Sequence, residues 1–199
     1  MGNSILREVI LKNGELLILR RPTEDDAKAM IDYLNQVGGE SDNLLFGKNE
    51  FPLTVEQEIE FIKRVNNNEN TLMLVGLIND AIVSIAQIDC HKRKRISHNS
   101  EIAISVKKEY WHRGIGSAVM EELIHFANNH SIIKNIGLGV KASNENAIKL
   151  YEKLGFVKVG YHKDYFKING VYDDLILMDL YLVKQRVSGS SSHSYVNKN

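Results

Sequence analysis

The segment Trp111-His112-Arg113-Gly114-Ile115-Gly116-Ser117-Ala118 lies between an alternating apolar strand and a long amphipathic helix. A Gly-x-Gly turn at the start of a helix leaves several backbone N–H groups unpaired and oriented in one direction. Such a set of donors, at the positive end of the helix dipole, is suited to bind a pyrophosphate. The segment therefore predicts a ligand that carries phosphate groups.

Two common phosphate-binding fingerprints do not fit this segment. A dinucleotide fingerprint has Gly or Ala three residues after the second glycine, where this chain has Val119. The glycines of the dinucleotide fingerprint also follow the strand directly, whereas in this chain Gly114 comes well after Val106, the last residue of the predicted strand. The loop pattern that ends in Gly-Lys-Ser/Thr is absent from the sequence. From this motif alone, two interpretations are possible: a pyrophosphate-binding segment, or a glycine turn that only joins the strand to the helix.

The composition is that of an ordinary globular protein with one domain. The chain has 199 residues, of which 43% are hydrophobic, and its 25 basic and 25 acidic residues give a net charge of zero. This balance gives no global electrostatic case for nucleic acid binding. The single cysteine, Cys90, cannot form an internal disulfide, and no cysteine cluster suggests a metal. Without a membrane-spanning or signal-like apolar run, we expect a cytoplasmic protein that does not enter a membrane.

Hydrophobic periodicity predicts strands in series, followed by strand–helix–strand–helix–strand. The predicted strands are 8–11, 16–19, 71–78, 81–89, 101–106, 136–140, 156–161 and 174–182. The predicted helices follow Thr23 and Thr54, cover 114–129 and follow the N-cap Asn144. This order predicts an α+β (α/β) fold, with a mixed, mostly antiparallel sheet, flanking helices and a central β-α-β crossover. We expect one domain over 1–187 and a disordered, Ser-rich tail over 188–199.

A second motif follows the glycine segment. The stretch Ala142-Ser143-Asn144-Glu145-Asn146-Ala147-Ile148-Lys149-Leu150-Tyr151-Glu152-Lys153-Leu154-Gly155-Phe156 has the spacing Asn-x-x-Ala-x-x-Leu-Tyr-x-x-x-Gly-Phe. Together with the preceding strand and the glycine motif, it resembles the GNAT superfamily of acetyl-CoA-dependent N-acetyltransferases. The resemblance extends over nearly the whole of residues 16–182. It departs at one position, because Trp111 stands where the family pattern has Arg or Gln.

The resemblance implies that acetyl-CoA binds as the co-substrate. The pantetheine arm is expected to pair, as an extra strand would, with the backbone of Ile104, Ser105 and Val106. The pyrophosphate is expected to bind backbone N–H groups of Arg113, Gly114, Ile115, Gly116, Ser117 and Ala118. The Arg113 and His112 side chains could add positive charge, or they could simply be solvent-exposed. Asn144 has two interpretations, a contact to the cofactor arm and the N-cap of its helix.

The resemblance also implies an acetyl transfer in which a primary amine attacks the thioester directly. The amine would belong to a small molecule or to a protein N-terminus. Tyr151 is expected to protonate the departing thiolate; the alternative is a core tyrosine with a satisfied hydroxyl. Glu101 is expected to take the amine proton, directly or through water, although it could be only a surface or ion-paired glutamate.

The acceptor side is less specified by the sequence. Loops over 38–47 and 163–172 are expected to line it, with Glu40 and Asp42 attracting a cationic amine or belonging to an ordinary polar loop. The basic run His91-Lys92-Arg93-Lys94-Arg95 is interpreted as a solvated hairpin loop. The sequence is compatible with a monomer or with a homodimer. The rival function is a non-catalytic acyl-CoA-binding or regulatory module with the same fold.

Overall fold

The computed structural model describes residues 5–183, which fold into eight strands and four α-helices. The strands are β1 (Ile5–Ile10), β2 (Leu16–Arg20), β3 (Thr71–Ile78), β4 (Ala81–Cys90), β5 (Asn99–Val106), β6 (Asn135–Lys141), β7 (Val157–Ile168) and β8 (Val171–Tyr181). The helices are α1 (Ala27–Val37), α2 (Val55–Asn66), α3 (Ile115–Asn129) and α4 (Glu145–Lys153), with 3₁₀ turns at Glu24–Asp26 and Lys108–Tyr110. The predicted tail over 188–199 lies outside the described residues.

One mixed sheet contains all these strands, in the order β1-β2-β3-β4-β5-β6-β8-β7. Every neighbouring pair is antiparallel except β5 and β6, which are parallel and are joined through α3. The predicted fold class and the central β-α-β crossover are therefore confirmed. Within residues 5–183, no helix is long and apolar enough to cross a membrane.

Helices cover both faces of the sheet, and the side-chain alternation of β3 explains why. All eight residues of β3 are buried. Leu72 and Leu74 pack in the core that contains α3 and α4. Met73 and Val75 pack in the other core, which contains α1 and α2. A strand that is apolar at every position needs a covered surface on each side, and this places β3 in the interior of the sheet.

β5 and β6 pair only at one end. Their ladder consists of Asn99 with Asn135, Ser100 with Ile136 and Glu101 with Gly137. Beyond this point β5 remains paired with β4 as far as Val106, and β6 remains paired with β8 as far as Lys141. The two strands therefore separate, and we call the opening between Ile102–Val106 and Leu138–Lys141 the splay. Each half of the sheet holds its own side of the splay in place.

The predicted loop over 163–172 is wrong. β7 continues to Ile168 and β8 begins at Val171, so this stretch is the end of a long hairpin. Asn169 and Gly170 form its turn, with φ angles of 50° and 81°. Two successive left-handed residues match the twist of a hairpin, and Asn-Gly is the preferred pair for this turn.

A buried ion pair fixes the chain between β2 and α1. The Arg20 side chain, 8% exposed as a residue, donates two hydrogen bonds to the Asp26 carboxylate at 2.7 and 2.8 Å. The Thr23 backbone N–H and hydroxyl also donate to Asp26. Burial acts to raise the pKa of Asp26, but the hydrogen bonds from Arg20 and Thr23 outweigh it and lower the pKa below 3.8. The carboxylate is therefore charged at neutral pH.

We expect Asp26→Asn to lower the free energy of unfolding at pH 7 by about 3 to 5 kcal/mol, because Arg20 then stays buried without its counterion. The measurement is urea denaturation. Because the folded-state pKa of Asp26 is depressed, its contribution is present above about pH 4 and is lost as the pH falls through the folded-state pKa. The difference between wild type and variant should therefore shrink at low pH.

The control is Asp32→Asn, since the exposed Asp32 pairs only with the exposed Lys28. That change should cost less than about 1 kcal/mol. If the two substitutions cost the same, the Arg20–Asp26 pair does not contribute as described.

Candidate active site

The strand edges in the splay carry free backbone groups. The Lys107 N–H donates to the Val83 carbonyl at 2.9 Å. Because the bonding direction alternates along an antiparallel strand, Ile104 and Val106 direct their N–H and C=O groups away from β4. These groups point toward β6, which is no longer paired with β5 here. The splay is therefore a site where an extended, amide-containing molecule can complete the sheet.

The far end of this edge is closed by the tryptophan that departs from the family pattern. The Trp111 indole Nε1 donates to the Val106 carbonyl at 2.7 Å. This bond leaves the N–H of Val106 and both backbone groups of Ile104 directed into the splay. The sequence motif contains Trp111, but nothing in its pattern indicates this return contact to the strand.

Ser105 differs from its two neighbours on β5. Its position pairs with Ile85 of β4, so its backbone is directed toward β4 and not into the splay. Its hydroxyl lies 3.1 Å from the Tyr33 hydroxyl and 3.4 Å from the Ile85 carbonyl. Ser105 thus joins β5 to α1, while Ile104 and Val106 carry the groups available for the pantetheine arm.

The glycine segment forms the predicted turn at the start of α3. His112 and Gly114 have left-handed φ angles of 62° and 93°. The N–H of Ala118 donates to the Gly114 carbonyl at 3.1 Å, as the first bond of the helix. Within residues 5–183, the N–H groups from His112 to Ser117 donate to no other atom. The free donors therefore include His112, whereas the N–H of Ala118 is used by the helix.

The Arg113 side chain is held by the protein. Its guanidinium pairs with Glu15 at 2.9 Å, donates to the Glu109 carbonyl at 2.8 Å and lies 4.7 Å from the centre of the Tyr110 ring. These contacts tie the glycine segment to the turn between β1 and β2. Arg113 therefore fixes the conformation of the segment, and its backbone is the part available to a ligand.

Tyr151 lies on α4 within the core that covers one face of the splay. The residue is 8% exposed, and its ring centre lies 5.9 Å from that of Phe156. Burial raises the pKa of Tyr151 to about 12. Among the described residues, no hydrogen-bond partner of its hydroxyl is found. This is unlike Tyr33, which is bonded to Ser105.

Glu101 lies at the closed end of the splay. The β4–β5 ladder has no register shift, so Glu101 shares a face with Ser105, the face covered by α1 and α2. Its side chain is 73% exposed, and its carboxylate lies 3.7 Å from His91 Nε2. Four residues along a strand span about 13 Å, so Glu101 is far from the level of Ser105.

Asn144 acts as the N-cap of α4. Its side-chain oxygen accepts a hydrogen bond from the Ala147 N–H at 3.3 Å. Within the described part of the chain, its amide nitrogen donates to no other group. The capping interpretation is therefore observed, and the amide nitrogen stays available for a cofactor contact.

The two segments predicted to line the acceptor side meet at one cavity of about 250 Å³. Its lining consists of Asp42, Lys141, Phe166, Ile168, Asn169, Val171 and Asp173. Glu40 has a different role, because its carboxylate accepts a hydrogen bond from the Lys108 N–H at 2.7 Å. Residues 5–183 contain no cluster of His, Cys, Asp and Glu that could hold a metal ion.

Comparison with known proteins agrees with this geometry. The sequence model of the acetyltransferase (GNAT) family matches residues 42–156, more than half of the chain. The chain belongs to the GNAT family of acetyltransferases. This GNAT protein is an acetyltransferase, and the enzymes of its family use acetyl-CoA as the co-substrate. The resemblance, the enzyme class and the cofactor predicted from the sequence are confirmed.

Individual GNAT relatives differ in what they acetylate. The chain is 34% identical to the L-amino acid N-acetyltransferase AaaT of Escherichia coli, over 58% of this chain and 72% of AaaT. It is 35% identical to the [ribosomal protein bS18]-alanine N-acetyltransferase of the same organism, over 39% of this chain and 51% of that enzyme. A GNAT acetyltransferase structure from Streptococcus pneumoniae aligns with a TM-score of 0.80 and 30% identity, covering 83% of this chain and 99% of that structure.

We expect Gly116→Asp to abolish the rise in melting temperature that acetyl-CoA produces in the wild type, because a carboxylate then occupies the group of free N–H donors. Thermal denaturation with saturating acetyl-CoA measures this. A Cβ at Gly116 would lie 3.3 Å from the Leu150 Cδ2, a movable side-chain end. Gly116→Ala should therefore retain part of the shift. An unchanged shift in Gly116→Asp would remove this segment from the cofactor site.

Proposed function

We propose that the enzyme transfers the acetyl group of acetyl-CoA to a primary amine by direct attack on the thioester, with Tyr151 as the general acid. The observation that carries this proposal is the Tyr151 hydroxyl. The Tyr151 side chain is buried in the core beside the splay, and its hydroxyl keeps its proton at neutral pH and has no partner among the described residues. A hydroxyl in this state can donate to the sulfur as thiolate charge develops.

The donor is held mainly by backbone groups in this proposal. The amides of the pantetheine arm pair with Ile104 and Val106 as an added strand, and the free N–H groups from His112 to Ser117 bind the pyrophosphate. The Val106 N–H polarises the thioester carbonyl. The carbonyl of Val106 already accepts a hydrogen bond from Trp111, so the N–H is the backbone group of Val106 that is left for the ligand. Support comes from the free strand edge and from the unpaired donors that begin α3.

The two faces of the sheet separate the two proton transfers. The amine approaches from the face of α1 and α2, where Glu101 and Ser105 point. Its nitrogen forms a bond to the carbonyl carbon, the carbon–sulfur bond breaks, and the Tyr151 proton passes to sulfur from the other face. The amine gives up one proton to water or to a base, and the Tyr151 phenolate regains one proton from solvent, so that charge and protons balance.

Glu101 serves as that base through ordered water in this proposal. Its carboxylate is on the acceptor face but about 13 Å along the strand from Ser105. This distance is too long for a direct proton transfer, which needs hydrogen-bond reach. A chain of water molecules between the Glu101 carboxylate and the amine would bridge it.

The acceptor is an α-amine, belonging to an amino acid or to a protein N-terminus. The supporting relatives act on an L-amino acid and on an alanine of a ribosomal protein. Release of free thiol from acetyl-CoA, followed across amino acids, peptides and simple amines, tests the proposal. Binding of acetyl-CoA without thiol release would favour the rival interpretation, a non-catalytic module.

We expect Tyr151→Phe to lower kcat by about 10²- to 10⁴-fold, because it removes the proton donor and keeps the ring packing. The KM for acetyl-CoA should change little. Steady-state kinetics measures both. Tyr161→Phe is the matched control, since Tyr161 is 64% exposed on β7 and should behave as wild type. Full turnover in Tyr151→Phe, with chemistry rate-limiting, would rule out this acid.

We expect Glu101→Gln to lower kcat/KM near neutral pH and to recover activity at higher pH, where more of the amine is already neutral. A pH profile of kcat/KM measures this recovery. If Glu101 only attracts a cationic acceptor, KM rises and kcat stays constant at all pH values. A wild-type profile in the variant would place the base elsewhere.

A further inference from the structure

Lys141 is a nearly buried cation that keeps hydrogen-bond donors beyond its ion pair with Asp173. Its side chain is 12% exposed, and its nearest carboxylate is that of Asp173, with Nζ and Oδ2 separated by 3.6 Å. That separation is too long for a good hydrogen bond, although an ammonium group has three donors. Asp173 is also bonded to the Ser143 side chain and the Asp174 N–H, and these bonds together with the nearby Lys141 ammonium lower its pKa. Asp173 therefore has other partners, and Lys141 has donors to spare.

The register of the sheet places Lys141 opposite the reacting centre. Glu101 pairs with Gly137 where the splay begins. The strands are parallel, so four residues farther along, Ser105 and Lys141 would be opposite each other if the strands had not separated. Lys141 also shares the acceptor face, because the alternate residues Leu138 and Val140 pack in the core of α3 and α4.

The cavity that Lys141 lines has the size of one amino acid. It measures about 250 Å³ and combines Lys141 and Asp42 with the side chains of Phe166, Ile168 and Val171. The Asp42 side chain is exposed and forms no ion pair with any other described residue. The cavity thus offers the Lys141 ammonium with donors left over from its pair with Asp173, the unpaired Asp42 carboxylate and an apolar wall.

We infer that the acceptor is a free α-amino acid and that Lys141 binds its carboxylate. This inference rests on the proposed function. In an α-amino acid the carboxylate is one carbon away from the amine, so Lys141 can hold it while the amine reaches the thioester across the splay. Asp42 attracts the ammonium form on entry, and the apolar wall contacts the side chain. A protein N-terminus lacks this carboxylate and leaves Lys141 unpaired.

The test compares amino acids with their amides, which keep the amine and lose the negative charge. The probes are L-leucine, L-methionine and L-alanine, each paired with its carboxamide. In Lys141→Met, which retains an unbranched apolar chain, the ratio of kcat/KM for acid over amide should fall by about 10- to 100-fold, the value of a charge-assisted hydrogen bond. The loss should lie in the KM for the acid, with little change in kcat or in the KM for acetyl-CoA.

Two further variants separate this role from a structural one. Lys141→Arg retains the charge and should keep the acid preference to within a few-fold of wild type. Lys94→Met removes the same charge from an exposed loop position and should match wild type. Urea denaturation of each variant checks that the fold is intact. An equal loss for acid and amide in Lys141→Met overturns the inference, as does a wild type that prefers the amides.

A binding measurement keeps this result independent of turnover. The melting temperature of the CoA-saturated protein should rise with each amino acid more than with its amide, and this difference should vanish in Lys141→Met. Binding of acids without acetyl transfer would contradict the proposed function and leave the carboxylate site standing. Transfer to amines with no preference for acids, in rate or in binding, would contradict the carboxylate site alone.

Discussion

Backbone N–H and C=O groups inside a sheet need hydrogen-bond partners, and in the splay the chain does not supply them. β5 and β6 pair up to Glu101 and Gly137 and then separate, while each stays bonded to its outer neighbour. The free edge of Ile104 and Val106 follows from that separation. An extended ligand with amide groups satisfies this edge in the way that a strand would, and this requirement positions every other part of the site.

The glycine segment and the tyrosine helix depend on the splay as well. α3 follows β5 after the 3₁₀ turn at Lys108–Tyr110, and the glycine segment that precedes it is held beside the end of β5. The Trp111 indole fixes this junction by binding the Val106 carbonyl, and Arg113 fixes it from the other side through Glu15. α4 follows β6 directly and brings Tyr151 to one face, while α1 and α2 lie on the other face.

The sequence predicted most of the fold because its signals were local. Alternation, capping residues and the glycines at 114 and 155 marked elements whose order allowed few topologies. The hairpin end at 169–170 was missed although Asn-Gly is a clear turn signal. In the structure Asp164 has a φ of 53° within an irregular stretch of the β7–β8 register.

The site was less predictable because its main features arise from long-range contacts. The carboxylate of Glu101 could have faced either side of the sheet, and only the uninterrupted β4–β5 register assigns it to the face of α1 and α2. The positive charge expected from the Arg113 side chain is taken by Glu15, far away in sequence. Lys141 was not singled out at all, because a lysine at the end of a strand is normally exposed. Its significance depends on burial and on the hairpin that covers it.

A binding site built from backbone groups also has a metabolic consequence. In the proposed binding mode, the strand edge and the free N–H donors of the glycine segment contact parts of the donor that coenzyme A keeps after the acetyl group has left. Free coenzyme A would therefore retain most of the binding energy of acetyl-CoA, and it would compete with acetyl-CoA for the splay. The flux through such an enzyme would then follow the proportion of the coenzyme pool that is acetylated, more than the absolute concentration of acetyl-CoA.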